Sequence, residues 1–307
     1  MRKLYVVVPF FNPLQFKSRV RLYLQFKREM EAAGVQLLTV EAAFGDHDFQ
    51  VTVPGDHWAL RLRTQHVLWH KERLINLGFH RLVQIEPDAW NIGWFDSDVT
   101  FADPDWAAKT VHALMHHEVI QPFSQAIFLN KNEEELWHCP SSFYSFLSGR
   151  GYHQRPPIPL SYLFKGHPGL AWAATRRALD ALGGVYDLCA AGSGDTVMSN
   201  ALKGDVNLFL PVNPTGGMTR SIQAWAKRCD RAIDGRIGYV PGALLHHWHG
   251  PSEKRGYEKR WSILAFHDFD PAVDLELEAN GLYRWAGNKP KLRDDLRLSL
   301  ASRNEDE

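Results

Sequence analysis

The clearest patterning lies near the start of the chain. Leu4 to Phe11 is an unbroken β-branched and aromatic run halted by Asn12-Pro13, which predicts a buried strand ending in a turn. Residues 16–33 are charged, with Val20, Leu22, Leu24, Phe26 and Met30 at helical spacing, and Gly34 closes the helix. Val35 to Glu41 reads as a second strand. Strand, helix, strand in that order predicts a parallel sheet with helices on its faces. Further on, the pattern predicts a long amphipathic helix over Leu60–Leu77 ended by Gly78, then a short buried strand, Trp90–Phe95, running into Asp96-Ser97-Asp98. A helix over Trp106–His116 and a strand over Val119–Phe123 follow. Residues 130–166, rich in Pro, Gly, Ser and aromatics, read as an irregular surface excursion.

The second half is patterned differently. Gly169 to Thr175 reads as a strand, and Arg176 to Leu182 as a helix stopped by Gly183-Gly184. Gly192-Ser193-Gly194-Asp195 precedes a helix over Thr196–Leu202, with Asp195 at the N-cap. Gly238 to Trp248 reads as a strand entering a histidine cluster. The closing residues, 251–307, alternate helical stretches with Gly and Pro and finish in Asn304-Glu305-Asp306-Glu307. No internal repeat or Gly/Ser linker divides the chain.

Composition narrows the class. The 307 residues are 45% hydrophobic and 23% charged, which excludes a disordered or collagen-like chain. Lys plus Arg and Asp plus Glu each total 35, so no global basic field draws the chain to nucleic acid. No apolar run approaches the roughly twenty residues that span a bilayer. The N-terminus lacks the apolar core and cleavage site of a signal peptide, so a cytoplasmic protein with no membrane partner is expected. Cys139, Cys189 and Cys229 lie too far apart for a disulfide framework or a zinc ribbon. The 11 Trp, 17 Phe, 9 Tyr and 15 His fit either a large aromatic core or a cleft whose faces stack on sugar rings or bases.

Three short segments carry candidate chemistry. Asp96-Ser97-Asp98 follows an apolar strand, and ligands in parallel α/β sheets sit outside the carboxyl ends of the strands. Two carboxylates one residue apart can share Mn²⁺ or Mg²⁺ there, directly and through water, leaving sites for substrate phosphates. The same tripeptide also serves as a polar turn. The second segment is His246-His247-Trp248-His249-Gly250. Alternation along a strand puts His247 and His249 on one face and His246 on the other. One of that pair, His247 first, could complete a carboxylate metal site; the alternative is partly buried histidines bonded to backbone. A zinc hydrolase lacks a third separated ligand motif, because His117-Glu118 does not continue to a second histidine. The third segment ends in Asp195, which is either an aimed general base or an N-cap and nothing more.

Taken in order, these segments resemble the GT-A glycosyltransferases, metal-dependent enzymes that use a nucleotide-diphosphate sugar on a Rossmann-like sheet. The shared order covers nearly the whole chain. A strand ends in Pro9-Phe10-Phe11-Asn12-Pro13, a second ends at Glu41, and a helix carries Lys71-Glu72-Arg73 and Asn76-x-Gly78. An apolar strand enters Asp96-Ser97-Asp98; then come Gly169 to Ala173, a Gly-Gly-terminated helix, Asp195 and a late histidine. The Arg73/Asn76/Gly78 spacing is similar to that of the β-1,4-galactosyltransferase type. Those enzymes carry Trp-Gly-Trp-Gly-Gly-Glu-Asp on the acceptor side, where this chain has Gly-Ser-Gly-Asp, so the resemblance assigns no donor sugar.

The resemblance implies an α/β GT-A fold: a mostly parallel central sheet, a mixed acceptor-side half and a C-terminal helical extension. Its catalytic unit would span 1–250, with a nucleotide-binding half at 1–110 and an acceptor half at 111–250, and 251–307 packed on it. It implies an enzyme moving a hexosyl or pentosyl unit to a hydroxyl with inversion, Asp195 acting as base and Asp187 the next candidate. The metal falls to Asp96, Asp98 and His247. Pro9, Phe10, Phe11, Asn12 and Glu41 would line the base and ribose pocket. Arg19 and Lys71 would reach the phosphates, with Asn76 and Ser97 bordering the donor.

A narrower set of elements comprises Trp69-x-Lys71-Glu72, Gln121-Pro122-Phe123-Ser124, His247-Trp248-His249-Gly250 and Ser302-Arg303-Asn304-Glu305-Asp306. These resemble glycosyltransferases common in bacteriophage and bacterial genomes, some of which glycosylate hydroxymethylated pyrimidines in DNA. The acceptor is then a glycan or a modified DNA base, and a phage-encoded enzyme would work in the host cytoplasm. Basic stretches Arg220–Arg236 and Lys254–Arg260, with Trp225, Tyr257 and Trp261 among them, would contact DNA unless they are solvated helical faces. The competing classes are a carbohydrate- or nucleotide-binding module of the same fold and a sugar nucleotidyltransferase. The latter needs a Gly-rich, Arg-containing loop after the first strand, which Pro9-Phe10-Phe11-Asn12 is not. A monomer or weak homo-oligomer is expected.

Overall fold

Alternate residues of the first strand go to opposite faces, and this sets the layers. β1 (Leu4–Phe11) sends Val6, Val8 and Phe10 toward α1 (Lys17–Ala32), where Tyr23, Phe26 and Met30 join the same apolar cluster, while Val7 enters a second cluster on the other face. The computed structural model describes residues 3–150, 166–204, 214–251, 256–303 and 305–306. Along the chain follow β2 (Gln36–Phe44), β3 (Ala59–Thr64), α2 (Lys71–Ile85), β4 (Asn91–Phe95), β5 (Val99–Phe101), α3 (Trp106–Ala113), β6 (Val119–Gln121) and β7 (Gln125–Leu129). Next are β8 (Glu135–Pro140), α4 (Ser142–Ser148), β9 (Ala171–Thr175), α5 (Arg176–Leu182), α6 (Gly194–Leu202), α7 (Gly216–Ala232), β10 (Ile237–Tyr239) and β11 (Ala243–His246). The chain closes with α8 (Tyr257–Phe266), α9 (Pro271–Asp274), β12 (Leu275–Leu277), β13 (Tyr283–Trp285) and α10 (Pro290–Ala301).

The fold is mixed α/β, with a large, mostly parallel central sheet flanked by helices. The sheet runs β10-β6-β9-β4-β1-β2-β3, and only β9 lies antiparallel to its neighbours. Since β2 lies on one side of β1 and β4 on the other, the connections leaving β1 and β4 diverge. Their carboxyl ends open a crevice of the kind that binds ligands in such sheets. A second sheet, β5-β11-β7-β8, stands beside that crevice.

Several elements differ from the sequence reading, each for a local reason. Leu60–Leu77 is not one helix. Residues 59–64 form β3, whose period-two alternation puts Leu60 and Leu62 against the core and Arg61 and Arg63 over the Phe49 ring. Helix α2 then starts at Lys71 and passes through Gly78, which is no terminator. A Cβ there would collide with Val7 Cγ1 and come 2.8 Å from Val40 Cγ2, so glycine lets α2 lie directly on the sheet. The strand expected over Gly238–Trp248 is broken by Pro241-Gly242 into β10 and β11. The excursion expected over 130–166 contains β8 and α4, and its residues 151–165 lie outside the described residues.

Residues 256–303 share the main core. Trp261, Leu264, Trp285, Leu292 and Leu296 belong to the cluster that holds Val7, Leu38 and Trp94. Trp225 and Trp261 are each 2% exposed, so neither can stack on a nucleic acid; the Tyr257 side chain lies outside what the structure describes. The three cysteines are buried, and among the described residues no helix is long and apolar enough to cross a membrane.

Candidate active site

The register of two short strands builds the centre of the site. Antiparallel pairing sets Leu244 against Phe101, Leu245 against Thr100 and His246 against Val99, and His247 N then donates to Asp98 O at 2.9 Å. The turn that leaves β4 through Asp96-Ser97-Asp98 is thereby fastened to the histidine segment. His249 Nε2 lies 3.1 Å from Asp98 Oδ2, His246 Nε2 lies 3.9 Å from Asp98 Oδ1, and the two imidazole Nε2 atoms are 3.4 Å apart. Asp98, His246 and His249 each offer one ligand atom within 4.8 Å of the others. Asp98 Oδ1 is buried with no hydrogen-bond partner among the described residues, a costly state that a cation would relieve. One carboxylate and two imidazoles suit a divalent transition metal. Burial would raise the Asp98 pKa, but His246, then His249 and Arg19, outweigh it and hold the carboxyl well below its usual range.

The histidines at this centre are His246 and His249, whereas the sequence reading favoured His247. Alternation holds only while the strand continues, and β11 stops at His246. The chain then turns, so residues three apart converge, and the His247 ring goes instead to Thr100 Oγ1 at 2.7 Å and faces Gln25 Nε2. Asp96 lies outside the three-residue group. It pairs with Lys71 Nζ at 2.5 Å, from the first residue of α2. Burial, and then the neighbouring Asp98, raise the Asp96 pKa against the pull of Lys71.

The crevice that contains this centre is lined by Pro9, Phe11 and Asn12 from the end of β1 and by Arg19 and Ser97. A basic wall belongs to the same lining. Arg260 from α8 and Arg303 each hold a guanidinium 5.2 Å over the Trp69 ring, and both are buried. Gly192 makes room for this stack, since a Cβ there would come 2.9 Å from Arg260 Nη1 and 3.2 Å from Trp69. Trp137, stacked on Phe128 with centroids 3.9 Å apart, and the exposed Leu136 form a third, aromatic and apolar rim.

Asp195 also faces the crevice. It stands in the first turn of α6 rather than at its N-cap, which is Ser193 at φ 70°. Asp195 Oδ1 accepts from Thr196 N at 2.7 Å, and Oδ2 lies so close to Gly169 that any Cβ there would collide with it. Beneath it, Glu72 is buried against Gly194. Burial, with Asp195 and Asp96 adding to it and Lys71 opposing, pushes the Glu72 pKa up to about 8.

Other residues singled out in the sequence do different work. Phe10 is buried edge-on to Tyr23. Both Glu41 oxygens are taken by the loop at 50–52, through Gln50 N, Val51 N, Thr52 N and Thr52 Oγ1. Asn76 ties α2 to Val185 N, Val185 O and Asp187. Asp187 itself is held by Arg73 and Asn76 and does not line the crevice. Arg19 lines the crevice but is engaged by Glu305. Glu72, Arg303 and Glu305 were not assigned roles from sequence, although Trp69-x-Lys71-Glu72 and residues 302–306 stood out there as motifs, and Arg260 figured only as the end of a basic stretch read as a DNA contact or a solvated face.

No protein-family model matches the chain, and a search of curated proteins found no match. Among solved structures, the chain is similar to the catalytic domain of Drosophila β1,4-galactosyltransferase 7 in complex with xylobiose, at 10% identity over 95% of this chain and 98% of that one, with TM-score 0.39. A mutant of the same Drosophila enzyme, in complex with manganese, UDP-Gal and xylobiose, gives 12% identity, 95% and 98% coverage, and TM-score 0.39. A 4-diphosphocytidyl-2C-methyl-D-erythritol synthase from Anaerococcus prevotii gives 9% identity, 78% and 87% coverage, and TM-score 0.34. Likenesses this distant say nothing about donor, acceptor or chemistry.

Proposed function

We propose that the chain transfers a glycosyl unit from a nucleotide-diphosphate sugar to a hydroxyl group, using Mn²⁺ held by Asp98, His246 and His249. The supporting observation is that one crevice, at the carboxyl ends of β1 and β4, gathers the Asp98–His246–His249 group, a buried basic wall and Asp195. Its charges fit the donor. Arg19, Lys71, Arg260 and Arg303 balance Asp96, Asp98, Asp195 and Glu305, while Glu72 keeps its proton near neutral pH. A divalent cation therefore leaves two positive charges in excess, which matches a diphosphate diester. When bound, the cation supplies electrostatic stabilisation of the charge developing on the departing diphosphate.

The chain's own residues do the rest in this reading. Pro9, Phe11 and Asn12 border the nucleoside, and Lys71 with the Arg260–Arg303 pair faces the phosphates. Asp195 takes the acceptor proton as the new C–O bond forms, and a single displacement inverts the anomeric carbon. The Trp137–Leu136 rim suits the apolar face of a glycan acceptor. A DNA acceptor is disfavoured by the burial of Trp225 and Trp261. Mass spectrometry of reactions with a panel of nucleotide sugars tests the activity, with Mn²⁺ present or chelated. Product should form only with the metal, and Asp98→Ala should weaken donor binding about a hundredfold in calorimetry. Metal-independent donor binding, or full binding by Asp98→Ala, refutes it.

A further inference from the structure

Helix α1 lacks a capping side chain of its own: its N-cap is Phe16, which makes no side-chain cap bond. The cap comes from the far end of the chain. Asp306 accepts from Lys17 N at 3.0 Å and Ser18 N at 2.8 Å, and Ser18 Oγ donates to Glu305 O at 2.7 Å. Residues 305–306 are thus fastened to a fixed point beside the crevice, and Glu305 is only 5% exposed there. Its carboxylate meets the Arg19 guanidinium, accepts from Arg303 Nη2 at 2.9 Å, and presents Oε2 at 3.5 Å from His249 Nδ1. The opposite ring nitrogen, His249 Nε2, is the one that faces Asp98.

We propose that Glu305 is a positioning residue for the cation site, holding His249 in the tautomer that carries its proton on Nδ1 and turns the Nε2 lone pair toward the metal. The inference rests on the cation reading given above. An imidazole that binds a metal through one nitrogen needs its other N–H held, and a carboxylate in that place fixes ring orientation and raises ligand basicity. Asp98, His249 and Glu305 lie in the order such a relay requires, with the carboxylate anchored from behind by the α1 cap. Buried ion pairing with Arg19 and Arg303 alone would need no contact with His249; the same carboxylate oxygen that meets Arg19 is the one turned to the ring.

The test is Mn²⁺ titration calorimetry, with visible absorption of the Co²⁺ form, on the 307-residue protein and on E305Q and E305L. E305Q should weaken Mn²⁺ binding about tenfold and E305L up to about a hundredfold, and both should shift the Co²⁺ absorption band. A purely structural role would lower the unfolding midpoint and leave that band in place. Should E305L fail to fold, E305Q decides alone. Mn²⁺ binding within about twofold of wild type in the folded variants, with an unchanged Co²⁺ spectrum, overturns this inference and leaves the cation reading standing. Absence of Mn²⁺ binding by the wild-type protein overturns both.

Discussion

Replacing Glu72 by Gln should remove a pH dependence of stability that the wild-type protein carries. Glu72 is 3% exposed in the first turn of α2, and Gly194 packs so closely on it that a Cβ there would come 2.8 Å from its Cδ. Burial first, then Asp195 and Asp96, push its pKa from 4.5 up to about 8, against the pull of Lys71. The proton is therefore bound more tightly in the folded than in the unfolded chain. Stability owed to it is complete below about pH 4.5, declines as the pH rises, and is gone above about pH 8. At 1.36 kcal/mol per pH unit, the interval is worth on the order of 5 kcal/mol. Gln keeps the shape and stays neutral, so the other titrations largely cancel in a comparison. With chelator present, the unfolding midpoint of E72Q minus that of wild type should grow between pH 5 and pH 9. For a chain of this length that growth is roughly 6–8 °C. A difference constant to within about 1 °C across that range would falsify the account of Glu72 as a buried, proton-holding group.

Two further outcomes follow from the same geometry. Asp195→Asn should bind Mn²⁺ and donor normally and lose transfer about a hundredfold in a single-turnover assay; normal turnover would leave Asp195 with its bonds to Thr196 N and Oγ1, a structural role. Gly78→Ala should lower the urea midpoint by an amount equivalent to about 1–3 kcal/mol at unchanged slope, because the new methyl meets Val7 and Val40; an unchanged midpoint would mean that α2 does not sit directly on the sheet.

Legibility in the sequence followed the range of the interaction. β1, α1, β2 and β4 are each a continuous run with its own terminator, and Asp96-Ser97-Asp98 is recognisable because it ends such a run. β3 was masked because Leu60 and Leu62 alternate with Arg61 and Arg63 just ahead of a helix, so two periods blurred into one. Gly78 misled for a different reason: inside a helix its missing Cβ serves the contact with Val7 and Val40, which no local pattern records. The histidines that converge on Asp98 differ from the one favoured by alternation because they lie at a strand end, where one residue of β11 more or less decides which rings converge. Arg260, Arg303 and Glu305 lie beyond local reading altogether. Charged residues in a helix-rich segment look like a solvated face; the long-range pairing of residues 305–306 with the start of α1 sets Glu305 against Arg19, and Trp69 takes the guanidiniums of Arg260 and Arg303. Trp69-x-Lys71-Glu72 and Ser302-Arg303-Asn304-Glu305-Asp306 nonetheless share one resemblance, and the structure stacks Arg303 on Trp69. Two motifs more than two hundred residues apart are thus two sides of one wall, and a charged motif that packs against an aromatic one is better explained by a shared crevice than by two independent surfaces.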